Sequence, residues 1–152
     1  MHFEIPGVGP IDIDTLLLDL NGTLRVGKEL VPGVAQRIPL LREKYRLILL
    51  SGDTHGDAAA LAKELGIEFV LTPTGTDKGT IVDQIGAEHC ASIGNGLIDL
   101  SMVEKACVGI AALQGEGAHR KTLNAADIVV TNVNDALDLF LDENKLIATL
   151  RG

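Results

Sequence analysis

Six short aliphatic runs alternate along the chain with segments of helical periodicity, and this alternation limits the fold more than any other feature. The runs are Thr15 to Leu20, Arg46 to Ser51, Glu68 to Thr72, Cys90 to Ile93, Val108 to Ala111 and Ile128 to Thr131. Between them, Gly33 to Lys44 carries Val34, Ile38, Leu40 and Leu41 with charges elsewhere, as an amphipathic helix does. Asp57 to Leu65 behaves alike and stops at Gly66, the place of a C-cap glycine. Lys78 to Ile85, Leu97 to Ala106 and Asp135 to Leu141 complete the helices, while Gly22 to Val31, with Gly27 in its middle, suits a small hairpin. Strands alternating with helices predict an α/β fold of three layers, with a mostly parallel sheet between helices on both faces. With 46% apolar residues and no linker or repeat, residues 1–152 are expected to form a single domain.

Charge and composition exclude several partners. Thirteen basic against 21 acidic residues give a net charge of -8 with no Lys/Arg block, which opposes binding to nucleic acid or anionic lipid. One Tyr, three Phe and no Trp supply few stacking platforms for single strands. Cys90 and Cys107 lack the close spacing of a zinc or redox pair and are expected to be core thiols. The N-terminus has early acidic residues, Pro and Gly rather than a secretory pattern, and no apolar run approaches a membrane span. A cytoplasmic protein is expected.

Polar groups fall where a parallel sheet would gather them. Asp19 follows the first run, Ser51-Gly52-Asp53 the second, and Gly94-Asn95-Gly96 with Asp99 the fourth. In doubly wound sheets, ligands bind beyond the carboxyl ends of the strands where the strand order reverses. Asp19, with a glycine turn and a hydroxyl directly after it, is placed to act as a nucleophile. Lys78 is the cation with a claim on the same crevice, Asp53 suits a turn or cap, and His2, His55, His89 and His119 show no ligand spacing.

DLNGTL at Asp19, LLSGD ending at Asp53, DKG at Asp77 and IGNGLIDLSMV from Ile93 together resemble the four ordered motifs of the haloacid dehalogenase (HAD) superfamily. Within it the chain is similar to the phosphorylation domain of P-type ATPases, through SGD, the DK pair and NAADIVV at Asn124 to Val130. The resemblance implies a Rossmann-like HAD fold and a magnesium-dependent phosphohydrolase in which Asp19 forms an aspartyl-phosphate with a phosphorylated substrate. It further implies magnesium ligands at Asp19, the backbone carbonyl of Asn21, Asn95 and Asp99. Ser51 and Lys78 would bind the phosphoryl group, joined by backbone N–H groups from Leu20 to Gly22 and from Gly52.

Two positions depart from the family pattern. Asn21 stands where HAD phosphatases carry an acid/base aspartate, and an amide can neither give nor take the proton, which costs about 10²–10⁴-fold where such assistance matters. Asn95 stands where a carboxylate would meet magnesium and offers an uncharged oxygen instead. Slow turnover that favours good leaving groups is therefore expected, with a catalytically impaired regulatory or phosphoryl-ligand-binding module as the alternative. Only 26 residues separate Leu24 from Ser51 and 26 separate Ser51 from Lys78, too few for a cap domain. An open site calls for a large substrate, or for a lid from a second copy in a homo-oligomer.

Overall fold

The computed structural model describes residues 1–152. An N-terminal hairpin pairs β1 (His2–Ile5) with β2 (Gly9–Asp12), and β3 (Thr15–Asp19) then enters the main sheet. A second hairpin, β4 (Arg25–Val26) with β5 (Glu29–Leu30), leads to α1 (Val34–Arg42). There follow β6 (Arg46–Ser51), α2 (Ala58–Leu65), β7 (Glu68–Leu71), α3 (Gly75–Ile85), β8 (Cys90–Gly94) and α4 (Leu100–Lys105). The chain closes with β9 (Val108–Ala112), α5 (Arg120–Ala125), β10 (Ile128–Val130), α6 (Val133–Leu141) and α7 (Glu143–Leu150).

All six strands of the main sheet are parallel, in the order β10-β9-β8-β3-β6-β7. From β3 the chain moves one way to β6 and β7, then crosses back to lay β8 on the other side of β3. The order thus reverses between β3 and β8, and it is beyond the carboxyl ends at such a switch point that doubly wound sheets bind ligands. Pairing of Asp19 with Leu50, and of Leu18 with Ile93, brings the ends of β3, β6 and β8 to one edge.

Alternation along β3 explains the three layers. Leu16 and Leu18 join the larger core under α1 and α6, whereas Leu17 joins Ile48, Leu50, Val82, Met102 and Val103 under α3 and α4. A strand buried on both faces is apolar throughout, which is why the run was visible in the sequence. At the chain's end, α7 packs on β1 and Gly152 N–H donates to the Pro6 carbonyl (3.0 Å). No helix is long and apolar enough to cross a membrane.

The expected strands and helices form within a few residues of their anticipated bounds. Helix α3 starts three residues before Lys78 because Thr74 and Asp77 make a reciprocal capping box. The hairpin β1–β2, helix α5 and helix α7 were not anticipated. In β1 the strand signal is only two buried residues, Phe3 and Ile5, and in α5 only one, Thr122.

Candidate functional site

A buried cation lies between two buried carboxylates at the crevice. Lys78 Nζ donates to Asp19 Oδ1 (2.8 Å) and to Asp99 Oδ1 (2.7 Å), and the side chains of Lys78 and Asp99 are 1% and 0% exposed. Asp99 is fixed from its other oxygen, since Oδ2 accepts from the backbone N–H of Asn95 and of Gly96 (both 2.9 Å). Burial, and next the Asp99 charge, push the Asp19 carboxyl up to about 7 against the opposing pull of Lys78 and Thr23. Burial works against the Lys78 ammonium, but the two carboxylates outweigh it and hold its pKa above the usual lysine value. Once Asp19 ionises, two carboxylates face one ammonium and the cluster is short of positive charge.

Thr23, fully buried, ties the loop after β3 to the loop after β8. Its hydroxyl lies 2.9 Å from Asp19 Oδ2 and 3.1 Å from Asn95 Oδ1, so one hydrogen serves two acceptors. Asn95 Nδ2 donates to the Gly117 carbonyl (3.1 Å), which turns the amide oxygen toward Thr23 and Asp19. Gly22 permits this approach: it has φ 86°, and a Cβ there would sit 2.2 Å from the Asn95 amide nitrogen. In the loop after β9, Gln114 Nε2 donates to the carbonyls of Gly22 (3.1 Å) and Thr23 (2.6 Å), while its Oε1 accepts from Val133 N–H (2.9 Å).

Ser51 is buried and its hydroxyl oxygen accepts from Asp53 N–H (2.9 Å), leaving the hydroxyl hydrogen free to donate. Asp53, at φ 57°, accepts from Ala58 N–H (2.9 Å) and so caps α2, as its sequence context suggested. One expected donor is corrected. Gly22 N–H closes a turn onto the Arg25 carbonyl (2.7 Å) and is not free for a phosphoryl oxygen, whereas Leu20, Asn21 and Gly52 have no such loop partner for their N–H groups. Two residues joined to the site went unread in the sequence, Gln114 and Arg25, whereas the Thr23 hydroxyl belongs to the Asp19 motif read there. Gln114 reaches the site only through contacts some ninety residues apart in sequence, and Arg25, although only four residues from Asn21, has no pattern in the chain that marks its side chain as turned inward.

The donor set suits a hard cation with little protein charge. Asp19 Oδ2 and Asn95 Oδ1 converge on one hydroxyl, and a carboxylate with an amide and a backbone carbonyl is an all-oxygen set of the kind magnesium accepts. No three His, Cys, Asp or Glu side chains converge on a metal position. Asp99 already accepts three hydrogen bonds, from Lys78 and two loop amides.

Known structures share the fold that carries this arrangement. The 3-deoxy-D-manno-octulosonate 8-phosphate phosphatase of Moraxella catarrhalis, solved with magnesium, phosphate and the sugar acid, superposes with a TM-score of 0.69 at 23% identity, over 91% of this chain and 94% of that one. A cobalt-bound homologue of that activity from Haemophilus influenzae gives 0.73 at 21% identity, over 88% and 90%. The chain has the capless HAD fold. No protein-family model matches this HAD-fold chain. The catalytic domain of the CPx-ATPase CopB-B aligns at 27% identity and a TM-score of 0.62, over 74% of this chain and 46% of that one. In sequence, an uncharacterized protein of Methanocaldococcus jannaschii is 50% identical over 60 residues, 40% of this chain and 64% of that protein. The potassium-transporting ATPase ATP-binding subunit of Synechocystis is 28% identical over 72% of this chain, and the probable cation-transporting ATPase G of Mycobacterium tuberculosis 39% identical over 60%. The chain spans only 16% and 12% of those two pump proteins.

Proposed function

We propose that the chain is a magnesium-dependent phosphohydrolase working through an aspartyl-phosphate on Asp19, slow and suited to good leaving groups. The observation that carries this reading is the buried Asp19–Lys78–Asp99 cluster at the switch point of the sheet. A buried ion pair is poor value as a stabilising device, and a cluster with excess negative charge is worse, so its presence at a crevice argues for use.

In the first step an Asp19 oxygen bonds to phosphorus and the bond to the leaving oxygen breaks, with its electron pair staying on that oxygen. Lys78 orients the carboxylate and faces the transferring oxygens, Ser51 donates its hydroxyl hydrogen, and the N–H groups of Leu20, Asn21 and Gly52 add further donors. Magnesium, held by Asp19, the Asn21 carbonyl and Asn95, would supply positive charge against the phosphoryl oxygens. We assign Asp99 to holding Lys78 and the loop after β8 in place of the metal-ligand role expected from sequence, because its oxygens are already engaged. Water then attacks phosphorus, the Asp19–phosphorus bond breaks, and phosphate leaves; without a carboxylate at position 21 no side chain takes the water's proton, so release is slow. The substrate is a phosphorylated molecule that needs no cap to enclose it, and the cytoplasm is the compartment we assign.

Asp19→Asn should lower turnover of an aryl phosphate with magnesium by about 10³-fold or more. Steady-state assays of both proteins, each checked for folding by circular dichroism, measure this. Turnover that survives the substitution rejects the mechanism.

A further inference from the structure

Arg25 lies in the β4–β5 hairpin with only 4% of its surface exposed. Its Nε and Nη2 both donate to Asn21 Oδ1 (3.1 and 2.8 Å), and its Nη1 donates to Asp57 Oδ2 (2.8 Å). A guanidinium has five donors and no acceptor, so it can face only the oxygen of an amide. The two-pronged contact therefore decides which way the Asn21 side chain points. Gly22 N–H donating to the Arg25 carbonyl (2.7 Å) locks the same pair through the backbone. Asn21 is itself half-buried, and its Nδ2, with two hydrogens, is the end of the side chain left for a ligand. Asp57 neutralises the guanidinium from the solvent side.

We infer that Arg25 is a positioning residue that holds the Asn21 amide with its NH₂ group toward the leaving oxygen of a phosphoryl substrate. This rests on the phosphohydrolase reading and adds a specificity rule to it. When the bond between phosphorus and the leaving oxygen breaks, the electron pair remains on that oxygen, which accepts a hydrogen bond from Asn21 and departs as an anion. Water protonates it afterwards. An amide polarised by a cation at its oxygen is a strengthened donor, but it transfers no proton. The substrate class is thus esters and anhydrides whose leaving group is stable as an anion: acyl, enol and aryl phosphates. Alkyl phosphates, which would leave as alkoxides, are poor substrates.

The test is kcat/KM for a series of substituted phenyl phosphates with magnesium, in the wild type, Asn21→Ala, Arg25→Met and the double variant. Asn21→Ala should cost about 10-fold for the most acidic phenol and about 100-fold for the least acidic. Arg25→Met should steepen the leaving-group dependence in the same direction, and the double variant should be no slower than Asn21→Ala, because Arg25 acts through the amide. Equal loss across the series in Arg25→Met, or losses that add in the double variant, overturns the inference. If Arg25→Met does not fold, Arg25→Lys replaces it, since a single ammonium cannot make the forked contact and should steepen the dependence too; an unchanged slope overturns the inference. If the wild type shows no Asp19-dependent turnover, the phosphohydrolase reading fails separately. The amide is then followed by ¹⁵N NMR with magnesium and orthovanadate as the probe. Asn21 NH₂ resonances that shift in the wild type but not in Arg25→Met uphold the positioning role, and resonances that ignore the probe reject it.

Discussion

Asp19 is held in a state it would not choose in water. Its carboxyl, ordinarily near 3.8, is pushed up to about 7 by burial and by Asp99. A raised folded-state pKa contributes stability below pH 3.8, and that contribution is lost as pH rises through 7. In metal-free protein, Asp19→Asn should therefore stabilise the fold at pH 8, by about 1–3 kcal/mol, with the gain shrinking toward pH 4. Thermal melts of both proteins across that range measure it, and a gain independent of pH would contradict the electrostatic cause. Lys78→Met should act oppositely, costing about 3–5 kcal/mol at pH 8 by leaving two buried carboxylates without their cation. Urea titrations should show part of that loss recovered at pH 5. The sequence carried the identity of these groups but not their burden. Nothing in DKG distinguishes a surface lysine from one that is 1% exposed, and nothing in TLRVG shows that Arg25 turns inward to clamp Asn21.

At the scale of elements, the site depends on how closely backbones approach. Gly22→Ala adds a Cβ 2.2 Å from the Asn95 amide at a positive φ, so about 1–3 kcal/mol of strain falls where the Asp19 loop meets Asn95. Gly109→Ala, in β9, places its Cβ 2.1 Å from the Val103 carbonyl oxygen of α4 and should cost about 3 kcal/mol. The two variants separate packing from function. Calorimetric titration with magnesium and vanadate should find binding weakened in folded Gly22→Ala and retained in folded Gly109→Ala. Runs such as RLILLS were legible as strands because both faces are buried, and Gly66 as a helix stop because it takes φ 71° after α2. The hairpin β1–β2 was not, because its first strand alternates exposed His2 and Glu4 with buried Phe3 and Ile5 amid Pro and Gly. Helix α5 escaped because six residues with one buried side chain carry almost no period.

Across the whole molecule, the proposed reading leaves the substrate's own charge to complete a site to which the protein brings the Asp19 carboxylate beside the Asn95 amide oxygen. Magnesium or phosphate alone should therefore raise Tm little, while magnesium with fluoroberyllate should raise it by roughly 5–10 °C once at about 100 times its Kd. Equal shifts from magnesium alone would contradict the weak donor set. The contact of Gly152 with Pro6 has a further consequence. Gly152 meets the turn of the first hairpin, and β1 runs from that turn back to Met1 at about 3.3 Å per residue, so a linker of roughly six residues would join the two ends. Cut instead between His55 and Gly56, in the exposed turn before α2, the polypeptide would be threaded with Asp19 after Lys78, Asn95 and Asp99. The permuted protein is expected to fold and to show the same fluoroberyllate response. The order in which the motifs occur would then be a property of the thread, and the chemistry a property of the knot of side chains it ties.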